Sequence, residues 1–280
     1  TYHIAYTFRE PDAKFPTRRD WNKLSQIIGG TWPEPFPSIR TTPPEVWPEV
    51  SAFDTEFHRQ EGWRKGSVPR LVRYSLASVD RTVWVVERHD AGALPITPGS
   101  TVIMHNCSVD IPYFSDICSV PLAEIQVEDT MFAHAVLWTG KVETDTQKGR
   151  VGGATSHTLN YLGSIYARFN RWKHLDEAAP RTYAGGDALA TMDVWMTGLH
   201  GGLKGELERD LQSQWVYNHL QRPLIPLILR NRAVGIRTDP EAATTTLREI
   251  ERDQGDAERR AIAYTGIPWF KVTSPPQLAT

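Results

Sequence analysis

Apolar positions follow two regimes along this chain: strand-length runs interleaved with helical stretches from about residue 50, then helical spacing alone over the last 70 residues. Runs at 51–57, 71–79, 83–87 and 101–105 predict strands. Ser78-Val79-Asp80 followed by Arg81 to Val86 predicts an antiparallel hairpin after the first of them. Helical signals lie at 110–118, 129–137, 157–166 and 186–197. Together they predict a central mixed sheet flanked by helices. Upstream, Tyr2, Ile4, Tyr6 and Phe8 alternate as a short strand would. Trp32-Pro33-Glu34-Pro35-Phe36-Pro37 and Thr42-Pro43-Pro44 then read as an extended, proline-punctuated connection.

Downstream, Trp215, Leu220, Leu224, Leu227, Ile228 and Val234 keep helical spacing, and Gly235 is a stop. Asp239-Pro240 supplies an N-cap and a proline at the first helical position, opening a charged helix that ends near Gly266. Ser274-Pro275-Pro276-Gln277 has the form of a capping box with almost no chain after it. The expected division is an N-terminal segment 1–48, an α/β domain 49–208 and an all-helical extension 209–280. The extension is expected to be truncated, and an opening threonine fits either a removed initiator or a piece of something longer.

Composition narrows the class without naming it. The chain has 280 residues, 40% hydrophobic content and a mean hydropathy of -0.41, which fit a soluble globular protein. No window has the length of a membrane span and no leader opens the chain, so a secreted or membrane protein is not expected. Cys107 and Cys118 make neither a disulfide framework nor a four-ligand zinc set. A net charge of -2 speaks against bulk capture of nucleic acid, but not against a local or metal-mediated phosphate site.

Chemistry enters with Phe53-Asp54-Thr55-Glu56-Phe57. On a strand, Asp54 and Glu56 project to one side while Thr55 faces away. Paired carboxylates on an apolar strand repel and lose hydration, and a hard divalent cation offsets both costs. Two solvated acids on a polar edge strand would read the same. Asn106 and Asp110 stand four apart after the next strand, as helix neighbours or as an asparagine turn and a helix cap. Tyr183 and Asp187 repeat that spacing around Gly185-Gly186, a pair that also suits a surface turn. Asp193 competes with Asp187 for this role but is expected to be a surface acid. Asp129-Thr130-Met131-Phe132-Ala133 opens a helix with an acidic cap, a structural role. The histidines His58, His89, His105, His134, His157 and His174 lack metal-ligand spacing and are expected to be structural or surface groups.

In order, these motifs resemble the 3′–5′ exonuclease domain of family A DNA polymerases, with Tyr183 placing the chain in the tyrosine rather than the histidine group. Arg222-Pro223-Leu224-Ile225-Pro226-Leu227, Val234 to Asp239, Tyr264-Thr265-Gly266 and Val272 to Leu278 are similar to the segment leading into the thumb. Palm and fingers are not in this chain. Leu162-Gly163-Ser164-Ile165-Tyr166 with Trp172-Lys173 leans towards phage-type members. The resemblance covers roughly residues 50–280.

It implies a ribonuclease H-like α/β fold and two divalent cations, Mg2+ or Mn2+, held by Asp54, Glu56, Asp110 and Asp187. Tyr183 would orient the attacking water. Thr55, Phe57 and Asn106 are the substrate-contacting candidates, although core packing competes for Phe57, Tyr113 and Phe114. The implied reaction is metal-dependent removal of nucleoside monophosphates from the 3′ end of single-stranded or frayed DNA, as the proofreading part of a polymerase. The implied partner is a polymerase domain or subunit outside this chain, and the implied place is the cytoplasm or nucleoid, or a host cell's cytoplasm for a phage protein. A catalytically idle scaffold for a polymerase and a 3′–5′ exoribonuclease are the alternatives.

Overall fold

The computed structural model describes residues 21, 23–30, 33–58, 70–90, 94–118, 120–138, 157–197, 201–235 and 239–268. The alternation at residues 2–8, the capping box at 274–277 and the motif at 272–278 lie outside them.

Among the described residues six strands form one mixed sheet: β1 (Ile39–Arg40), β2 (Val50–His58), β3 (Arg70–Ser78), β4 (Val83–Glu87), β5 (Thr101–Met104) and β6 (Gln126–Asp129), in the order β1-β4-β3-β2-β5-β6. β2, β3 and β4 are antiparallel neighbours, which realises the predicted hairpin, while β5 and β6 continue from β2 in parallel. β2 is therefore paired on both sides. β1 and β6 were not predicted. β1 is two residues long, and β6 carries Gln126, Glu128 and Asp129 among four positions.

Helices α1 (Cys107–Ile117), α2 (Thr130–Leu137), α3 (Leu159–Tyr166) and α4 (Pro180–Met192) flank the sheet. One face packs Phe53, Tyr74, Leu76 and Val102 against Ile111, Phe114 and Ile117 of α1. The other packs Ala52, Ala77, Val83, Val85 and Ile103 against Leu162 and Ile165 of α3 and Ala184, Ala188 and Leu189 of α4. Fully burying side chains such as Phe53 or Leu162 contributes about 1.5–3 kcal/mol each relative to exposure. These two cores hold β2 rigid from both sides. Asp129 caps α2 by accepting from the backbone N–H groups of Met131 and Phe132, as its sequence position predicted.

α4 starts six residues before its predicted start. Gly185 and Gly186 are helix interior, retained because neighbours approach too closely for a side chain. A Cβ on Gly186 would lie 2.3 Å from Trp172 Cδ1, and one on Gly185 2.9 Å from Val83 Cγ1. After Met192 the helix widens into a π-type turn over Asp193–Thr197. α5 (Gly202–Arg209), α6 (Leu211–Val216) and α7 (Arg222–Val234) follow, with Gly235 at φ 70° as the stop.

Contacts divide the chain into Thr1–Leu229 and Arg230–Thr280. The second unit contains α8 (Pro240–Thr265), whose ends match the prediction. The Asp239 carboxylate accepts from Glu241 and Ala242 N–H, and Gly266 ends the helix at φ 67°. Among the described residues no helix is long and apolar enough to cross a membrane.

Candidate active site

Asp54 and Glu56 leave β2 on the face covered by α4, and Asp187 comes down from α4 to meet them. One carboxylate oxygen from each lies within 4.8 Å of the others, the one metal-competent group of acids, histidines and cysteines among the described residues. Asp54 Oδ2 is buried and accepts no hydrogen bond from any described residue. Leaving a buried carboxylate oxygen without a donor is costly unless a cation fills the gap.

Asp110 reaches the same region from α1. Its Oδ1 accepts from both Thr55 N–H at 3.0 Å and Thr55 Oγ1–H at 2.5 Å. The residue that separates the first two acids thus fixes the third. Asn106 precedes α1 in the left-handed region, at φ 60°, and its Oδ1 accepts from Ser108 Oγ. Cys107 N–H donates to Asp129 Oδ2 at 2.6 Å, tying this turn to α2. Phe57 stacks on Tyr113 with ring centroids 5.6 Å apart, whereas Phe114 is wholly buried against Phe53.

Asp187 is gripped at both oxygens. Trp172 Nε1 donates to Oδ1 at 2.6 Å and Lys173 Nζ to Oδ2 at 2.6 Å. The same ammonium donates to the Tyr183 hydroxyl at 3.1 Å. Sequence reasoning noted Trp172-Lys173 but gave it no role. Nothing local in the sequence signals that role: Gly163 and Gly186, far apart in the chain, are brought to one indole only by the fold.

Burial raises all four acids, and for Asp54, Glu56 and Asp110 neighbouring carboxylates add to it. Burial, then the charges of Asp187, Asp110 and Glu56, push Asp54 well above the usual carboxylate range. Burial and then Asp187 raise Glu56 to about 7. Asp110 rises to about 7 through burial, against the opposing bonds from Thr55. Burial also raises Asp187, with Lys173 and Trp172 opposing it. Tyr183 is raised by burial and by Asp187, so it stays a neutral phenol. Burial first and neighbouring negative charge second thus disfavour ionised acids here, and a divalent cation would favour them.

No protein-family model matches the sequence, and no curated protein matches it. Solved structures do. The polymerase domain of Pol1 from M. smegmatis, in complex with DNA primer-template and dNTP, superposes with a TM-score of 0.53 at 15% identity, over 86% of this chain and 40% of that one. A nuclease in its apo form gives 0.50 at 19% identity, over 73% of this chain and 98% of that one. NrnC of Brucella melitensis with bound Mg2+ gives 0.47 at 17% identity, over 73% and 98%. The fold is ribonuclease H-like.

Within that ribonuclease H-like frame, Asp193 departs from its expected place. It is no surface acid: its side chain is 0% exposed and pairs with Arg81 Nη1 at 2.8 Å, with Arg168 Nε 3.6 Å away. Its neighbours are cations on the β3–β4 turn and after α3, remote in sequence. Two of the histidines take the structural side of their expectation, His134 fully buried and His105 half-buried. Burial lowers His105 and His134 to about 3, and His134 Nδ1 lies 2.6 Å from His157 Nδ1.

Proposed function

We propose that this chain is a metal-dependent 3′–5′ exonuclease acting on the 3′ end of single-stranded or frayed DNA, as the proofreading part of a family A type polymerase. The observation that carries the reading is the convergence of Asp54, Glu56 and Asp187 around the undonated Asp54 Oδ2, with Asp110 and Tyr183 beside them. Asp54, Glu56 and Asp187 would hold one divalent cation, and Asp54 with Asp110 a second. Bound there, such ions acidify water and offset charge on phosphoryl oxygens.

The protein's own groups divide the remaining work. Tyr183 Oη accepts from Lys173 and keeps its own proton, so it can donate to, and orient, a water or phosphate oxygen without adding negative charge. Thr55 keeps Asp110 from swinging. Phe57, half-buried on Tyr113, presents a ring on which a terminal base can stack. An idle scaffold would have no need to keep four acids together at this desolvation cost. The polymerase-like superposition over most of the chain supports DNA over RNA.

The test uses 5′-labelled and 3′-labelled single strands of DNA and RNA of one sequence, with Mg2+ or Mn2+. A ladder of shortened 5′-labelled DNA, with mononucleotide released at once from the 3′ label, is expected. Preferential shortening of RNA would move the reading to an exoribonuclease, and no shortening of either would end it.

A further inference from the structure

Trp172 and Lys173 are consecutive, yet they differ in what they leave Asp187 free to do. Trp172 is 3% exposed, with Gly163 and Gly186 pressed against its ring; a Cβ on either would approach within 2.3 Å. Its neutral N–H engages one lone pair of Oδ1 and leaves the carboxylate charge in place. That is how a positioning donor behaves beside a metal ligand. Lys173 brings a full positive charge to Oδ2 on a flexible four-carbon stem, and its side chain is 27% exposed. The ammonium also sits 4.7 Å from the Tyr183 ring centroid. An ammonium bonded to Oδ2 and a divalent ion drawing on the same carboxylate repel each other and compete for its lone pairs.

We propose that Lys173 is a resident cation of the metal-free site, and that a divalent ion must displace it from Asp187 Oδ2 in order to bind. This inference rests on the reading of Asp54, Glu56 and Asp187 as metal ligands. It makes Lys173 a residue that sets metal affinity and keeps the empty site folded, with Trp172 doing the opposite service of aiming Asp187 at the ion. Adjacent residues on one carboxylate therefore have effects of opposite sign.

The test is Mn2+ binding to the whole chain without nucleic acid, followed by electron paramagnetic resonance of the free ion. Lys173→Met should tighten Mn2+ by about tenfold or more, the size of a typical coupling between competing ligands. Trp172→Phe should weaken it by about 10–100-fold. Metal-free Lys173→Met should melt below the wild type and gain more from added Mn2+. Misfolding loosens a metal site, so tightening is not a by-product of damage. Affinity unchanged or weakened in Lys173→Met, with wild-type binding intact and lost in Asp54→Asn, overturns the lysine inference alone. No saturable Mn2+ binding to either chain overturns the metal reading with it.

Discussion

Thr55 Oγ1 donates to Asp110 Oδ1 at 2.5 Å, and the Thr55 backbone N–H reaches the same oxygen at 3.0 Å. One residue of β2 thus links the acids of two elements: its neighbours Asp54 and Glu56 project from β2 towards α4, while its own N–H and hydroxyl hold Asp110 of α1 in the same region. A hydrogen bond to a charged group contributes about 1.5–3 kcal/mol, and losing an outer partner of a metal ligand costs about 10–100-fold in affinity or activity. Thr55→Val should therefore lower the rate of nucleotide release by about 10–100-fold, and Thr55→Ser should recover most of it. Equal rates for valine and threonine would remove this restraint from the account.

Gly186 exists for Trp172. Alanine there would put its Cβ 2.3 Å from the five-membered ring of the indole, whose six-membered ring is in turn pressed by Gly163. Overpacking of this kind costs about 1–3 kcal/mol. Gly186→Ala should lower the denaturant midpoint accordingly and, by moving the indole off Asp187, reduce Mn2+ affinity as well. Unchanged stability would show that the indole has room that the structure does not give it.

The pH dependence has a definite sign at Glu56. Its folded pKa of about 7 lies above the usual 4.5, so the folded state holds the extra proton between those values. That contribution to stability is full below the lower value and is lost as pH rises through about 7. His105 and His134, lowered to about 3, act the other way, their contribution being lost as pH falls below about 6.5. A substitution separates the two. In metal-free protein Glu56→Gln should leave the melting temperature nearly unchanged at pH 5 and raise it at pH 8. Stabilisation confined to pH 5 would contradict the assignment.

Asp193 and Asp187 share a helix but not a role. Removing Asp193 leaves Arg81 with Glu34 as its remaining ion-pair partner and takes the acceptor from Arg168 N–H and Thr197 Oγ1, each lost buried bond costing about 1–3 kcal/mol. Asp193→Ala should therefore melt markedly lower while its remaining folded fraction, assayed cold, still shortens DNA. Asp187→Asn should abolish activity in the folded protein, and because it takes the charged partner from Lys173 it should also lower metal-free melting; activity of the folded fraction, not stability, separates the two acids.

What could be seen in the sequence follows from how local the cause is. The two-residue period puts Asp54 and Glu56 together whatever lies around them, and Asp239-Pro240 and Gly266 bound α8 by capping alone. β6 was hidden because Glu128 is buried only by virtue of Arg222 and Tyr217, some ninety residues away. Gly185-Gly186 suggested a turn because local propensity takes no account of an indole arriving from Trp172. Lys173 and Asp193 were misjudged or passed over for the same reason: a charged side chain's role is set by its partner, and these partners lie across the fold.

The central claim, a metal-dependent 3′–5′ exonuclease built on Asp54, is tested most directly by single-turnover shortening of 5′-labelled single-stranded DNA. Wild-type protein and Asp54→Asn would be compared with Mg2+ and with chelator, after circular dichroism shows both folded. Stepwise loss from the 3′ end that requires Mg2+ and falls by at least about 10³-fold in the variant is the predicted result, since both proposed ions depend on this carboxylate. Shortening that persists in chelator, or in Asp54→Asn at the wild-type rate, would contradict it.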